Sequence, residues 1–394
     1  MPDFIATTLS EVHIGSGQTL TKNLDFALGK RKNEDNEIEN VIGILDINKI
    51  GKLIGTENIE IFIEFIDKKG TKNIVDFIGE FTQENKLENI SKRVFCVYGD
   101  FSNKNFLREQ LINSDKNPII PGSSVKGAIR TAIISYLVGQ NKQIVRRIID
   151  KEQINKPFAT WKEKDFQKVE TKILNKLLSG TESIEANKNT MRFLIVGDVE
   201  FAYETIAFSS EILNYYFRGW NIKQGQSILT ELISDNCESE PFRININKNL
   251  LDINLKYNNV KAQTDFLQSL DNLFEIINNH TKKLIENEIN FWNNQDNTNE
   301  IEGKIDEYLQ KLENIYSEFS KLKKDEMIIR IGGNTGWSSI TGGWAKEVLS
   351  KMEWDKLYHL LNKNREVNIF PKTRKITDDF SDPFGFIKIS QIKE

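Results

Sequence analysis

Cysteine and histidine are scarce in this 394-residue chain, which has two of the first and three of the second. Cys96 and Cys237 stand far apart with no Cys-x-x-Cys, which excludes a disulfide framework and the usual zinc spacing. His13, His280 and His359 lie in separate stretches and no His-x-x-x-His occurs, so neither a metal nor a cofactor is expected. No apolar run approaches the roughly 18 residues that a membrane span needs. Met1–Leu9 contains Asp3 and lacks the basic start of a secretory signal, so the expected location is the cytoplasm. The phosphate-loop pattern Gly-x-x-x-x-Gly-Lys-Ser/Thr and the nucleophile elbow are both missing. A surplus of one charge is missing too: Lys+Arg of 53 against Asp+Glu of 57 gives −4. That excludes a protein that coats nucleic acid through bulk positive charge, and any RNA contact must be a local basic stripe.

What is present describes a globular chain, with 39% hydrophobic and 28% charged residues, long enough for two or three domains. Its most organised stretch is Ile119–Ile133. An apolar pair runs into Pro121-Gly122, then Ser123-Ser124, then a helical pattern that carries Lys126 and Arg130 one turn apart. Ser123 or Ser124 is placed to cap that helix. A helix start after a glycine turn offers free N–H groups and partial positive charge, which suits a phosphate. Gly127, Ala128 and Ala132 are small enough for close packing. Read without its neighbours, the stretch is equally a capped helix with solvated cations.

In chain order, Phe4–Ile14 predicts a strand that ends in the loop Gly15-Ser16-Gly17, with His13 just before it. Asn23–Asn40, polar and charged at its end, predicts a mobile loop. Val41–Asp46 predicts a strand, Ile47–Gly55 a helix, and Val94–Tyr98 a buried strand. The central helix is expected to continue through Thr131–Ile149 and to end in Lys142, Arg146 and Arg147. Residues 151–190 read as a helical insertion, and Met191–Val196 as a strand leading to Gly197-Asp198. Leu251, Ile253 and Leu255 alternate, which predicts a half-buried strand over Leu250–Leu255. Val260–Asn293 predicts a long helix with Phe266, Leu270, Leu273, Ile277 and Leu284 on one seam, His280 falling within it. Ile305, Tyr308, Leu312, Ile315, Phe319 and Leu322 form a second seam, so 260–325 reads as an αα-hairpin.

Glu326–Ile331 predicts a strand that enters Gly332-Gly333-Asn334-Thr335-Gly336-Trp337. Backbone N–H groups and hydroxyls there suit phosphate or sugar, and Trp337 either stacks on a base or sits in the core. Lys363–Lys375 is the most basic segment, with Lys363, Arg365, Lys372, Arg374 and Lys375, and Phe384–Ile389 is the last expected strand.

Four stretches together resemble the RAMP proteins of CRISPR effector complexes. They are Val12–Gly17, Pro121–Arg130, Arg330–Trp337, and the ending Phe370–Lys375 with Pro383–Lys388, in that order and over almost the whole chain. The ending is similar to that of one branch, the cap subunit at the crRNA 3′ end of the type III-A (Csm) interference complex. The resemblance implies an α+β fold of two RRM-like (ferredoxin-like) halves with helical insertions: 1–150, an insertion at 151–190, and 191–394 with the αα-hairpin. It implies a non-catalytic subunit that binds the 3′ part of crRNA, caps the filament of backbone RAMP subunits and supports crRNA maturation in antiviral and anti-plasmid defence. The implied partners are crRNA, target RNA and the Csm backbone subunits, with a recruited host nuclease as a further one. The implied RNA contacts are His13 and Ser16 in the first motif, and Gly122, Ser123, Ser124, Lys126, Gly127 and Arg130 in the second. Arg330, Gly332, Gly333, Thr335 and Trp337 follow in the third, and Lys372 and Arg374 in the last. Phosphate and 2′-hydroxyl contacts suit a protein that must accept any guide sequence.

Two other activities compete. A RAMP endoribonuclease that processes crRNA precursors needs a general base, for which His13 is the candidate. An adaptor could instead recruit a nuclease through the αα-hairpin. Backbone RAMP subunits cut target RNA with an aspartate in a loop after the first strand. Asp25 lies in the comparable region, although the cap branch is not known for that activity.

Overall fold

The computed structural model describes residues 3–67, 73–183, 186–216, 219–223, 225–257, 259, 261–295, 298, 301–361 and 369–393. Its architecture is α+β, with two RRM-like, ferredoxin-like halves built on two large sheets and helices packed against them. In the five-stranded sheet, Asp3–Thr8 lies between Phe386–Gln391 and Phe242–Ile246, with Glu326–Arg330 and Leu194–Val196 at the edges. All its pairs are antiparallel. Phe4, Ala6 and Thr8 alternate inward as the pleat requires.

The second sheet has nine strands. Its path runs through Gly15–Thr21, Phe106–Gln110, Ile228–Leu232, Ile206–Tyr216, Ser91–Tyr98, Ile38–Leu45 and Phe26–Lys32. Thr373–Thr377 and Gly219–Ile222 both join it along Ile206–Tyr216. The segment limits expected from sequence do not divide the sheets, because strands from 1–150 and from 191–394 share both of them.

Gly122–Gln140 is one helix that breaks at Asn141, and Lys142–Asn155 is the next. Val125, Ile129, Ala132, Ile133 and Leu137 bury one face of the first into a core shared with Leu273, Phe274 and Ile277. Those three belong to the long helix Leu270–Asn293, which Ser269 caps through the Asn272 N–H. The helix therefore starts ten residues later than the seam suggested, after a short 3₁₀ turn at Asp265–Leu267. Farther along, Ile285 and Trp292 pack with Ile305, Tyr308 and Leu312 of the partner helix Glu302–Glu318. The same cluster holds Ile328 and Phe386 of the five-stranded sheet, so the αα-hairpin is part of the body and not an appendage.

Two expectations are overturned. The stretch 23–40 is not a mobile loop. Phe26–Lys32 and Ile38–Leu45 form a hairpin in full register, with Phe26 and Ala27 buried. The polar residues that suggested a loop occupy its turn and outer face. Leu250–Leu255 is not a strand but part of the helix Lys248–Lys256, capped by Asn247 accepting from the Leu250 N–H. Leu251 is buried there while Ile253 and Leu255 are exposed, so their alternation carried no sheet face.

Candidate nucleic-acid interface

Three glycine-bearing stretches far apart in sequence meet at one groove of about 450 Å³. Ile14 and Gly15 form one side, Ser124, Gly127, Ala128 and Thr131 of the central helix a second, and Arg330–Gly333 with Thr335 a third. The first and the third are drawn together through residue 13. The Gly333 N–H donates to the His13 carbonyl at 2.8 Å. Gly332 has φ +91°, and a Cβ there would lie 2.5 Å from the same carbonyl oxygen, so only glycine fits. Gly127 is different. It sits exposed within a helix, and a Cβ there would meet nothing within 4 Å. Packing does not explain this residue, which costs a helix about 1 kcal/mol relative to alanine. It leaves a bare stretch of helix surface in the groove wall.

The helix start does not work as the sequence suggested. Neither Ser123 nor Ser124 caps it; the N-cap is Pro121, without a side-chain bond. The Gly122 N–H donates to Asp198 Oδ1 at 2.7 Å instead. A carboxylate thus already occupies the favourable anion position. Gly122 is needed because a Cβ there would lie 2.2 Å from the Val196 carbonyl oxygen. Ser123 remains exposed and Ser124 lines the groove.

Lys126 and Arg130 share a face, on the side of Ser123 and Gly127 away from the groove-lining Ala128. Both are half-buried. Among the described residues neither forms an ion pair, and burial alone pulls the Lys126 ammonium below its usual range. Arg130 does help to keep the half-buried Glu170 ionised, against the burial that raises it.

The other basic candidates are already engaged. Arg330 Nε donates to the Phe384 carbonyl at 2.9 Å, and its guanidinium lies 4.8 Å from the Phe386 ring centroid. Arg374 is paired with Glu288, donates to the Pro371 carbonyl at 2.7 Å, and lies 4.4 Å from the Phe291 ring centroid. Arg146 is held by Asp150 and Glu353, which removes it from the exposed basic helix end read in the sequence. Lys372 is half-buried, and its carbonyl accepts from the Tyr215 N–H. Lys363 and Arg365 lie outside the described residues. Trp337 joins Trp354 and Phe370, at ring-centroid distances of 5.8 and 4.8 Å, in an aromatic cluster that is neither the central core nor free. The cluster borders a further groove of about 630 Å³.

His13 is buried, and its Nδ1 donates to the Glu231 carbonyl at 2.7 Å. Burial pushes its pKa down; that bond opposes the shift, and Arg108 and Lys375 add to it. Of these two cations the sequence reading missed Arg108, and it named Lys375 only as part of the basic segment. Lys375 Nζ donates to Asn334 Oδ1 at 2.9 Å, and burial, with Arg108 adding, lowers its pKa. Nothing in the short strand Phe106–Gln110 marked Arg108, since its place depends on pairing with Ile228–Leu232. Ser16 Oγ donates to Glu109 Oε2 at 2.8 Å. Asp25 is a turn residue: its Oδ2 accepts from the Thr21 N–H at 2.8 Å, which shapes the entry to the hairpin. Among the described residues, no group of three or more His, Cys, Asp and Glu is placed to hold a metal, and no helix is long and apolar enough to cross a membrane.

The whole fold has relatives among solved structures. A crystal structure of T. onnurineus Csm5 superposes with a TM-score of 0.65 at 19% identity, covering 97% of this chain and 99% of that one. A chain of a cryo-EM structure of a Csm–crRNA–target RNA ternary complex from a type III-A CRISPR-Cas system superposes with a TM-score of 0.66 at 19% identity, each chain covered in full at 100%. No curated protein matches the sequence. Residues 5–338 match the RAMP superfamily, and the chain belongs to that superfamily.

Proposed function

We propose that the chain is an RNA-binding subunit of a type III-A Csm effector complex that holds the 3′ part of crRNA and caps the filament of backbone subunits. The observation that carries this reading is the convergence of Gly15, Ser124–Gly127 and Gly332–Thr335 on one groove. Bare backbone, hydroxyls and nearby cations suit sugar and phosphate, and the sequence is left to the pairing guide. Lys126 and Arg130 supply charge on one side, and Arg108 and Lys375 near His13 supply it on another. Superposition along the full length with a chain of a Csm–crRNA–target RNA complex supports the same assembly.

The role is structural, and the location is the cytoplasm. The buried His13 and the turn-forming Asp25 act on the fold, not on RNA cleavage. Native mass spectrometry of the complex reconstituted with crRNA tests the reading. One copy per guide, with RNA crosslinks to Ser124–Gly127 and Gly332–Thr335, is the expected result. Two or more copies per guide, or crosslinks elsewhere only, would refute it.

A further inference from the structure

A second groove, of about 810 Å³, shares no lining residue with the glycine-bearing one. It runs between Ile206 and Phe208 of the long strand and the helix Glu302–Glu318. Five carboxyl groups line it, from Glu11, Asp235, Asp306, Glu307 and Asp382, against the one ammonium of Lys311. Lys311 is committed to Asp235 at 3.1 Å and Asp382 at 3.5 Å. Glu11 is only 3% exposed; its carboxyl shares a hydrogen bond with Asp382, and no N–H group donates to its Oε2. The pair keeps acceptor oxygens in the groove wall that a cation donor can reach in place of the shared proton. On the rim, Tyr98 stacks on Phe208 at 5.1 Å and Phe380 meets Phe208 edge-on at 5.9 Å. Tyr98 and Phe380 are 41% and 57% exposed.

We propose that this groove seats an arginine presented by a neighbouring protein subunit. The chemistry selects among occupants. The surplus of carboxylates over the single Lys311 ammonium repels an RNA phosphate. A bare metal ion does not fit, because no three carboxylates among the described residues stand close enough to hold one. A guanidinium satisfies both halves of the site, pairing with Glu11 and Asp382 through its fork of N–H groups and stacking on Tyr98 or Phe380. The groove is far larger than one guanidinium, so it also takes the segment that carries it. Burial, with Asp382 adding, pushes Glu11 up to about 8 in the free chain, and an arriving cation would ionise it.

The identity of that subunit rests on the Csm reading above, and the test separates the two. The chain is titrated against the crRNA-loaded complex lacking it, and its crRNA affinity and melting temperature are measured alone. Glu11→Gln with Asp382→Asn, and separately the exposed rim pair Asp306→Asn with Glu307→Gln, should each weaken binding to the complex by about tenfold or more. Affinity for crRNA alone should be unchanged, and melting should be equal or higher. Wild-type binding with no loss in either variant overturns the arginine site and leaves the Csm reading standing. Failure of the wild-type chain to bind the complex overturns both. Loss of crRNA affinity with protein binding intact would assign the groove to RNA and overturn the proposal.

Discussion

Residues 122–131 and 370–375 are two basic segments beside proline-containing turns, and they use their cations in opposite ways. In the first, Lys126 and Arg130 flank a helix surface left bare by Gly127. In the second, Arg374 is spent on Glu288, on two backbone carbonyls and on Phe291, while Lys375 braces Asn334 beneath the glycine loop. The difference teaches that a basic run announces positive charge but not where it points. A cation with a buried carboxylate partner works for the fold. One that forms no ion pair, as with Lys126 and Arg130 among the described residues, is in the reading proposed above left for a ligand.

The strongest way to break this contrast is Arg374→Ala. Both partners of the Arg374–Glu288 pair are nearly buried, so removing one should cost about 3 kcal/mol, read by chemical unfolding. A variant with unchanged stability and lost RNA binding would reverse the assignment. Next comes Lys126→Glu with Arg130→Glu. Stability should change by less than about 1 kcal/mol. RNA affinity should fall by more than tenfold, and the slope of log affinity against log salt should shrink by about 1.4, roughly 0.7 for each lost single-strand phosphate contact. Equal binding at all salt concentrations would remove both residues from the interface.

Gly127 sharpens the contrast further. Gly127→Ala should raise stability by up to about 1 kcal/mol through helix propensity alone. Gly127→Leu should be folded yet bind RNA about tenfold more weakly, as measured by filter binding. Gly333 is a poorer probe, because a Cβ there already lies 3.0 Å from His13 Cδ2.

The smallest effect concerns pH. The Glu11 carboxyl holds its proton to about 8 in the folded chain, against an ordinary value of 4.5. The folded state therefore binds more protons than the unfolded one in between, and stability falls as pH rises through that window. Burial lowers His13, and lowers His280 to about 4, so these residues act in the opposite sense below about pH 6.5. Between about pH 6.5 and 8, melting temperature should decline in wild type and stay flatter in Glu11→Gln. Parallel curves would show that Glu11 does not titrate there.

Patterns that repeat within one element could be read in the sequence. The central helix, the two hairpin seams, the Val94–Tyr98 strand and the order of the motifs were all visible, because apolar spacing reports a buried face directly. Partnerships across the chain were hidden. Asp198 at the Gly122 N–H, Glu288 at Arg374, Glu353 at Arg146 and Glu231 at Arg93 lie dozens to hundreds of residues from the groups they engage. Nothing in local composition tells a paired cation from an available one. The hairpin at 26–45 was obscured because its polar outer face and turn looked like solvent-loving chain. Of the candidate interface, the three glycine motifs and the basic segment with Lys375 were legible, whereas the place of Arg108 became visible only once the strands had paired.

The pairing of Asp3–Thr8 with Phe386–Gln391 has a consequence for how the protein is made. On the ribosome, the first strand leaves the tunnel hundreds of residues before this neighbour is translated, with only Phe242–Ile246 on its other side to pair with earlier. Glu326–Arg330, which needs the same neighbour, also waits. The five-stranded sheet can close only after Phe386–Gln391 has left the tunnel, with a high loop-closure cost and exposed edges until then. Stopping synthesis after Gly385 should leave both waiting strands open to protease, while the 26–45 hairpin, paired locally, should already resist it.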